Sequence, residues 1–314
     1  MLDILGKRYY YFLLSLLIIV PGLIVLAVNG LPLAVDFKGG SLLEVQFSST
    51  NLPSTEEIVR IYEANGFSEV TVQRTSLTQG GAEDSLIIRS PFMDDAMRST
   101  IVDAIKTQFN EPNLVTNRFE SVGPTIAAAV TQRAALAVGV AALAVIIYIT
   151  LAFRGVPHAF RYGICAIIAM MHDILVVISL TAIGGQIFGW QVDSLFLTAL
   201  LTVIGFSTQD KIVVFDRIRE NSAFLRKLPF EKLANHSIVQ TLQRSINTQL
   251  MTVEFMLLAL ALFGGVTLRE FAVILLVGLL SGTYSSIFIA APLLVIWENK
   301  EWRTWFRRQT PKAA

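Results

Sequence analysis

Charged residues, cysteine and enzyme motifs are all scarce in this sequence. Only 16% of its residues are charged and 54% are hydrophobic, whereas about 25% are charged in soluble domains. The single cysteine, Cys165, lies in an apolar run, which excludes a disulfide framework and a cysteine-based zinc site. The composition therefore indicates an integral membrane protein whose one thiol is a small core side chain.

Motifs for nucleotide-driven or hydrolytic chemistry are also missing. There is no G-x-x-x-x-G-K-[ST] segment, which excludes a P-loop site for ATP, and no H-E-x-x-H spacing or nucleophile–base constellation. The net charge is +1 and no basic run is interleaved with aromatic residues, so no nucleic-acid partner is expected. The chain is therefore predicted to be no enzyme and to need no cofactor or metal. Any work it does would draw on the membrane potential or on an ion gradient.

Long apolar segments are abundant instead. Six of them have the roughly 20 residues that a hydrocarbon core of about 30 Å requires. They lie at residues 9–29, 134–153, 161–183, 192–215, 246–264 and 271–297. The first follows Lys7-Arg8 but has no A-x-A-like cleavage site, so it is predicted to be a retained anchor in the lipid bilayer.

The positions of these segments and of the basic residues predict the organisation of the chain. The expected parts are a first span (1–30), a soluble domain (31–131), a five-span bundle with a loop at 217–240 (132–298) and a basic tail (299–314). Basic residues are frequent in the connections on one side of the bundle, whereas the opposite short loops hold only Arg269. The positive-inside rule then predicts cytoplasmic termini and an extracytoplasmic domain 31–131.

The soluble block alternates between strand and helix patterns. Residues 41–47 alternate in hydrophobicity, and Ser54-x-x-Glu57 has the spacing of a capping box that opens a helix ending at Asn65-Gly66. Strands at 68–75 and 84–90, a helix at 93–109 and a strand at 113–122 follow. The order β-α-β-β-α-β predicts an α+β ferredoxin-like domain, a fold that by itself indicates no function. The expected fold class is thus an all-α six-span bundle with this domain between the first and second spans.

Ionisable residues lie inside three of the predicted spans, where a charge costs about 2.5–3.5 kcal/mol near the centre on insertion scales. The third span holds His172 and Asp173, and the fourth holds Ser207, Gln209, Asp210 and Lys211. The fifth begins with QTLQRSINTQLMTVEF (240–255), whose first turns carry Arg244, Asn247, Thr248, Thr252 and Glu254. Burial favours a neutral carboxyl group and a nearby guanidinium favours the ionised one. A helix movement that changes the distance between Asp210 and Arg244 would therefore bind or release a proton. The alternative is a static ion pair that only holds spans together.

Several motifs occur in a fixed order along the chain. They are Asp36-Phe37-x-Gly39-Gly40, VGP (122–124), His172-Asp173, GFSTQDKIVVFDRIREN (205–221), NHSIVQTLQRSINTQLMT (235–252), FGG (263–265) and GTYSS (282–286). Together they resemble the SecF family, the smaller half of the SecDF protein-export accessory complex. The resemblance covers nearly the whole chain.

This resemblance implies a half-transporter of the RND superfamily in the bacterial cytoplasmic (inner) membrane. It implies SecD and the SecYEG translocon as partners, YajC as a further one, and a translocating unfolded polypeptide whose export the proton motive force assists. It implies that Asp210 is the proton-coupling carboxylate and Arg244 its functional partner. Coupling to sodium ions instead of protons stays open. So do two other functions, a small-molecule or lipid exporter subunit of the same superfamily and a passive assembly factor.

The sequence departs from the family pattern N-D-T at Gln209 and Lys211, and Glu254 stands where an apolar residue is usual. One hypothesis is that Lys211 and Glu254 compensate one another across the fourth and fifth spans, because either charge alone would be unfavourable there. The alternative is that Lys211 extends its long side chain to the cytoplasmic interface.

Two smaller motifs also carry predictions. His172 and Asp173 are predicted either to extend a proton path, since histidine titrates near neutral pH, or to lock the packing of the third span. Gly39, the first glycine of the pair with Gly40, is predicted to form a tight turn from the first span into the first strand, with Asp36 as its cap. A role of this turn in receiving substrate is the alternative.

Overall fold

The computed structural model describes residues 3–47, 52–76, 84–154, 159–225, 227–249, 255–264 and 266–301. The chain divides into two units by its internal contacts. One unit combines residues 1–31, 137–190 and 195–314, and the other combines residues 32–136 and 191–194.

Helices and strands follow one another in a simple order. After a single 3₁₀ turn (Leu5–Lys7) come α1 (Arg8–Asn29), α2 (Val35–Lys38), β1 (Gly40–Gln46), α3 (Thr55–Ala64), β2 (Thr71–Ser76), β3 (Asp84–Ser90), α4 (Asp95–Phe109) and β4 (Val115–Val122). They are followed by α5 (Pro124–Ala152), α6 (Ala159–Phe188), α7 (Ser194–Phe224), α8 (Phe230–Gln249), α9 (Phe255–Phe263) and α10 (Val266–Ser285). A π-helical segment (Ser286–Ala290) then joins α10 to α11 (Ala291–Glu298).

Five stretches of helix in the described part of the chain are long and apolar enough to cross a membrane. They are Leu5–Asn29, Pro124–Ala152, Ala159–Phe188, Ser194–Phe224 and Leu268–Glu298. Each contains most of one predicted span. The predicted span at 246–264 includes residues 250–254, which lie outside the described residues, so the sixth span stays a prediction.

Helix α7 continues beyond the predicted end of its span. The apolar pattern ends near residue 215, but the helix runs to Phe224. Ion pairs at spacing i, i+3 support the added turns, with Arg219 2.7 Å from Asp216 and Arg217 2.6 Å from Glu220. The charged residues after 215 therefore end the apolar segment without ending the helix.

The smaller unit contains the predicted β-α-β-β-α-β order, which is confirmed. Its four strands form an antiparallel sheet in the order β2-β3-β1-β4. On the central strand β1, Leu43 pairs with Ile88 on one side and with Phe119 on the other. Leu43 and Ile88 are buried in one cluster with side chains of α3 and α4. Alternation along the strands thus gives the sheet one face on which the two helices pack.

The predicted capping box at the start of α3 is present. The N–H of Glu57 donates to Ser54 Oγ at 3.2 Å, and the N–H of Ser54 donates to Glu57 Oε2 at 2.9 Å. Hydrogen bonding from the Ser54 N–H holds the pKa of the Glu57 carboxyl group below its usual range. The helix ends at Ala64, and Gly66 follows with φ of 88°, as the Asn65-Gly66 stop signal predicts.

Gly39, which follows α2, and Gly40, the first residue of β1, form a turn into the strand, although α2 separates this turn from the first span. Gly39 has φ of +81° and Gly40 has φ of +117°, backbone conformations that favour glycine. A Cβ atom on Gly40 would lie 2.7 Å from the carbonyl oxygen of Ser90, so the turn also needs the missing side chain. The prediction for Asp36 was wrong, because its Oδ2 accepts from the N–H and the hydroxyl of Ser194 at 3.0 and 2.6 Å. Asp36 caps the start of α7 rather than the glycine turn.

Helices α1 and α6 approach each other closely at Gly22. A Cβ atom on Gly22 would lie 2.2 Å from Ser179 Cβ, a distance that real side chains do not tolerate. The Ser179 hydroxyl donates to the Ile19 carbonyl at 3.1 Å, across the same contact. Small residues at such a crossing let helix backbones pack tightly in a membrane.

Replacing Gly22 by valine should therefore separate α1 from α6. We expect Gly22→Val to lower stability by about 1–3 kcal/mol, the usual range for overpacking a tight contact. Thermal unfolding in detergent would measure the change. Gly139→Val is the matched control, because a Cβ atom on Gly139 meets nothing within 4 Å. Equal stability of the two variants would contradict the inferred close contact.

Candidate functional site

Two buried carboxyl groups lie among the described residues of the larger unit. Asp173, on α6, is 1% exposed, and Asp210, on α7, is 9% exposed. Helices α7, α8 and α10, together with the π-helical segment, contribute the serines that contact them. The two carboxyl groups have different surroundings, and that difference determines what each can do.

Asp210 contacts two neutral hydroxyl groups. The Ser245 hydroxyl on α8 donates to Oδ1 at 2.7 Å, and the Ser286 hydroxyl on the π-helical segment contacts Oδ2. Ser286 Oγ also lies 2.9 Å from the Thr283 carbonyl oxygen. A hydroxyl group both donates and accepts, so Ser286 can donate to an ionised Asp210 or accept from a protonated one while donating to Thr283. The surroundings of Asp210 therefore suit both protonation states.

Asp210 also lines a small cleft between α7 and α8. The cleft has a volume of about 80 Å³ and is lined by Phe206, Gln209, Asp210, Val213, Arg244, Ser245, Thr248 and Gln249. Arg244 is exposed, and no ion pair among the described residues joins it to Asp210. The structure thus places the two predicted coupling residues on one cleft, with their charges not in contact. Gln209, the neighbour that departs from the family pattern, is exposed on the same cleft.

Asp173 is surrounded by donors, one of which is charged. Lys211 Nζ lies 2.8 Å from its Oδ2, and the pair is almost completely buried. The hydroxyls of Ser207 (2.5 Å), Ser281 (2.8 Å) and Ser285 (2.7 Å) also donate to its two oxygens, and Nδ1 of His172 lies 3.1 Å from Oδ1. A carboxylate with this many donors has its acceptor capacity well used.

The position of Lys211 corrects one of the sequence interpretations. Its side chain does not extend to an interface, because the residue is 1% exposed and its ammonium group contacts Asp173 and both oxygens of Ser207. Glu254 lies outside the described residues, so its pairing with Lys211 stays a prediction. The charge of Lys211 is already matched by Asp173 without it.

His172 connects the Asp173 cluster to the packing of neighbouring helices. Its ring stacks on Tyr284 of α10 with ring centres 6.1 Å apart, and the Tyr284 hydroxyl donates to the Tyr11 carbonyl of α1 at 2.8 Å. These contacts tie α6, α10 and α1 together. They favour the interpretation that His172 and Asp173 lock the packing of this span.

Five serines contact the two carboxyl groups, and only Ser207 was noted from the sequence, as a polar residue of its span. Ser281 and Ser285 are one helical turn apart on α10, so both face Asp173. Ser286 begins the π-helical segment and faces Asp210 instead. Ser285 and Ser286 lie in the GTYSS motif and Ser245 lies in the 235–252 motif, but no role had been given to these serines. Local π-helical geometry is frequent at functional sites. Here the adjacent residues Ser285 and Ser286 contact different acids, Asp173 and Asp210.

Helix α8, which brings Arg244 and Ser245 to the cleft, is anchored near its start by the N-terminal residues. Asn235 Oδ1 accepts from the N–H groups of Ile4 and Leu5 at 2.9 and 3.2 Å. Arg8 pairs with Glu231 of α8 at 2.9 Å and with Glu301 after α11 at 2.7 Å. Arg244 and Ser245 lie near the opposite end of α8 from this anchor.

Family models match most of this chain. The model described as "Protein export membrane protein SecD/SecF, C-terminal" matches residues 101–300, and that described as "SecD/SecF GG Motif" matches residues 24–50. The second range includes the turn at Gly39 and Gly40, and the first includes both buried carboxyl groups.

Individual relatives agree with these matches. The protein translocase subunit SecF of Anaerolinea thermophila is 66% identical over 100% of both chains. The protein translocase subunit SecDF of Bacillus subtilis is 33% identical over 95% of this chain and 38% of its own. Among solved structures, SecDF from Thermus thermophilus, described as a translocon-associated membrane protein, has a TM-score of 0.79 and 30% identity. That match covers 95% of this chain and 39% of the SecDF chain.

Proposed function

The chain belongs to the SecD/SecF family of protein export membrane proteins, and from this premise we propose that it is an ion-driven subunit of the Sec machinery. Together with SecD it uses the proton motive force to assist the export of unfolded polypeptides through SecYEG. The similarity to SecDF chains, of which it matches about two fifths, supports SecD as the partner.

The observation that carries this proposal is the environment of Asp210. A carboxyl group in a span is unfavourable unless it has a function or a partner. Asp210 has no cationic partner among the described residues, contacts hydroxyls that suit either protonation state, and lines a cleft with Arg244. These are the features of a group that exchanges a proton.

The proposed cycle has two steps. A proton that reaches the cleft binds Asp210, and Ser286 then directs its own proton to the Thr283 carbonyl and accepts from the new carboxyl O–H. When α8 brings the Arg244 guanidinium close to Asp210, the positive charge favours the carboxylate and the proton leaves. Because Ser245 and Arg244 are adjacent on α8, the same movement changes both contacts.

The proposed arrangement in the membrane has six spans with both termini in the cytoplasm of a bacterial cell and domain 31–131 outside the inner membrane. The distribution of basic residues supports it, with Arg154, Arg161 and the 217–240 loop on the side of the termini. The five described membrane-length helices are compatible with it.

Arg244→Met tests the coupling step. We expect export by membrane vesicles to fall to the level seen when an ionophore collapses the ion gradient, because no charge then displaces the proton from Asp210. Arg244→Lys is the matched control and should retain part of the ion-dependent export, because it keeps the charge. Gradient-dependent export at the normal rate in Arg244→Met would refute the coupling role.

Copurification with SecD and SecYEG separates this function from the other two. A small-molecule or lipid exporter would not copurify with SecYEG. A passive assembly factor would copurify, but Arg244→Met would then leave export unchanged. The proposed function requires both copurification of the variant complex and loss of ion-dependent export.

A further inference from the structure

We propose that Lys211 holds Asp173 as a permanently ionised carboxylate that does not exchange ions, so that exchange is confined to Asp210 within the described bundle. This makes Lys211 a positioning residue that sets how many carboxyl groups of this chain take part in coupling. The inference rests on the proposed function for the role of Asp210, but the state of Asp173 is tested independently of it.

The charged donor at Asp173 Oδ2 suits only the ionised carboxyl group. An ammonium group has three N–H donors and no acceptor. Lys211 Nζ directs its donors to Asp173 Oδ2 and to the carbonyl and hydroxyl oxygens of Ser207. A proton on Asp173 Oδ2 would place an O–H against the N–H of Lys211. Ser286 beside Asp210 can reverse its hydrogen bond, and so can Ser285 beside Asp173, because the Ser285 hydroxyl lies 3.1 Å from the Gly282 carbonyl oxygen. Lys211 cannot, and it is the neighbour that Asp210 lacks among the described residues.

The charges that face Asp173 from α6, α7 and α10 also favour the carboxylate. On its own helix, His172 contacts Oδ1 through Nδ1. From α7 the facing charge is Lys211, since Asp210 makes its contacts with α8 and the π-helical segment. From α10 the facing groups are the hydroxyls of Ser281 and Ser285. Within the described residues, Asp173 thus meets one full positive charge and no negative one.

A proton also has better access to Asp210 than to Asp173. Asp210 lines the cleft that Arg244 shares, whereas neither Asp173 nor Lys211 lines it. Asp173 and Lys211 are each 1% exposed. A proton can therefore reach Asp210 from the cleft, while it would have to displace a buried ammonium group to neutralise Asp173.

Carbodiimide labelling distinguishes the two states, because a hydrophobic carbodiimide reacts with protonated carboxyl groups in apolar surroundings. The full chain in its complex with SecD would be treated with dicyclohexylcarbodiimide over a series of pH values, and the modified residues would be identified by mass spectrometry. We expect Asp210 to be modified, with a yield that falls as the pH rises, and Asp173 to remain at background throughout. Modification of Asp173 in the unchanged protein would overturn the proposal.

The second part of the labelling experiment uses variants that lack the Lys211 charge. In Lys211→Met and Lys211→Gln, Asp173 has no charged partner and should bind a proton, so its modification should rise from background to at least the level of Asp210. Failure of Asp173 to react in a folded variant, judged by its copurification with SecD, would overturn the proposal. If neither variant folds, modification of Asp173 at any pH in the unchanged protein still overturns the proposal.

The labelling also separates this inference from the proposed function. If Asp210 is never modified and export does not depend on it, the coupling role of Asp210 fails. The assignment of Lys211 then stands or falls on Asp173 alone.

Discussion

Asp210→Asn is expected to reduce export to the level that remains when the ion gradient is collapsed. Asparagine keeps the shape of the side chain and can still contact Ser245 and Ser286, but it binds no proton at physiological pH. The hydroxyls of Ser245 and Ser286, which can bond to either protonation state of a carboxyl group, then face a side chain that has only one state. The measurement is the rate of polypeptide export by vesicles with and without an ionophore, at equal amounts of complex.

Asp210→Glu is the matched variant for this experiment. It keeps a titratable carboxyl group in the same cleft and should retain part of the gradient-dependent export. Copurification of each variant with SecD shows that the complex is assembled. If Asp210→Asn exported as fast as the unchanged protein and responded to the ionophore in the same way, Asp210 would not be the coupling group.

Lys211→Met is expected to have the largest effect on stability. Removing one partner of a buried ion pair leaves an uncompensated charge and typically costs about 3–5 kcal/mol. The folded variant would relieve part of this by protonating Asp173. Because the folded state then binds a proton that the unfolded state lacks near neutral pH, the variant should lose stability as the pH rises. Thermal unfolding in detergent at several pH values measures both effects.

The double variant Asp173→Asn with Lys211→Met shows whether the loss comes from the pair. With both charges removed, stability should return most of the way to that of the unchanged protein, since a neutral replacement of a buried pair is often tolerated. Lys232→Met makes the same change at an exposed site of α8 and should stay within about 0.5 kcal/mol. A double variant no more stable than Lys211→Met would contradict the pairing.

The smaller unit was predictable from local patterns because each of its signals acts over a few residues. Ser54 and Glu57 cap α3 through bonds between groups three residues apart. Gly39 and Gly40 adopt positive φ because the chain must turn within two residues. Leu43 alternates into the core with its neighbours on β1. Such features do not depend on which part of the chain, distant in sequence, packs against them.

The partner of Lys211 was not predictable in the same way. The sequence showed that a lysine in a span needs a compensating charge, but helical spacing gives only the face on which it lies. Asp173 and Glu254 were both acids in neighbouring spans, and the choice between them depends on how the helices cross. Ser245, Ser281, Ser285 and Ser286 were missed for a related reason. A serine in a span is common, and the sequence around it does not show which acid on another helix it contacts.

The Asp173–Lys211 pair is electrically neutral, with its charges 2.8 Å apart in the interior. A neutral pair that moves as one body across a transmembrane voltage does no electrical work, whereas each elementary charge that crosses gains about 2.3 kcal/mol per 100 mV. If Asp210 is the carboxyl group that exchanges, a passage through this chain carries one charge. The lysine would then fix the amount of voltage energy that a single turnover can take from the membrane.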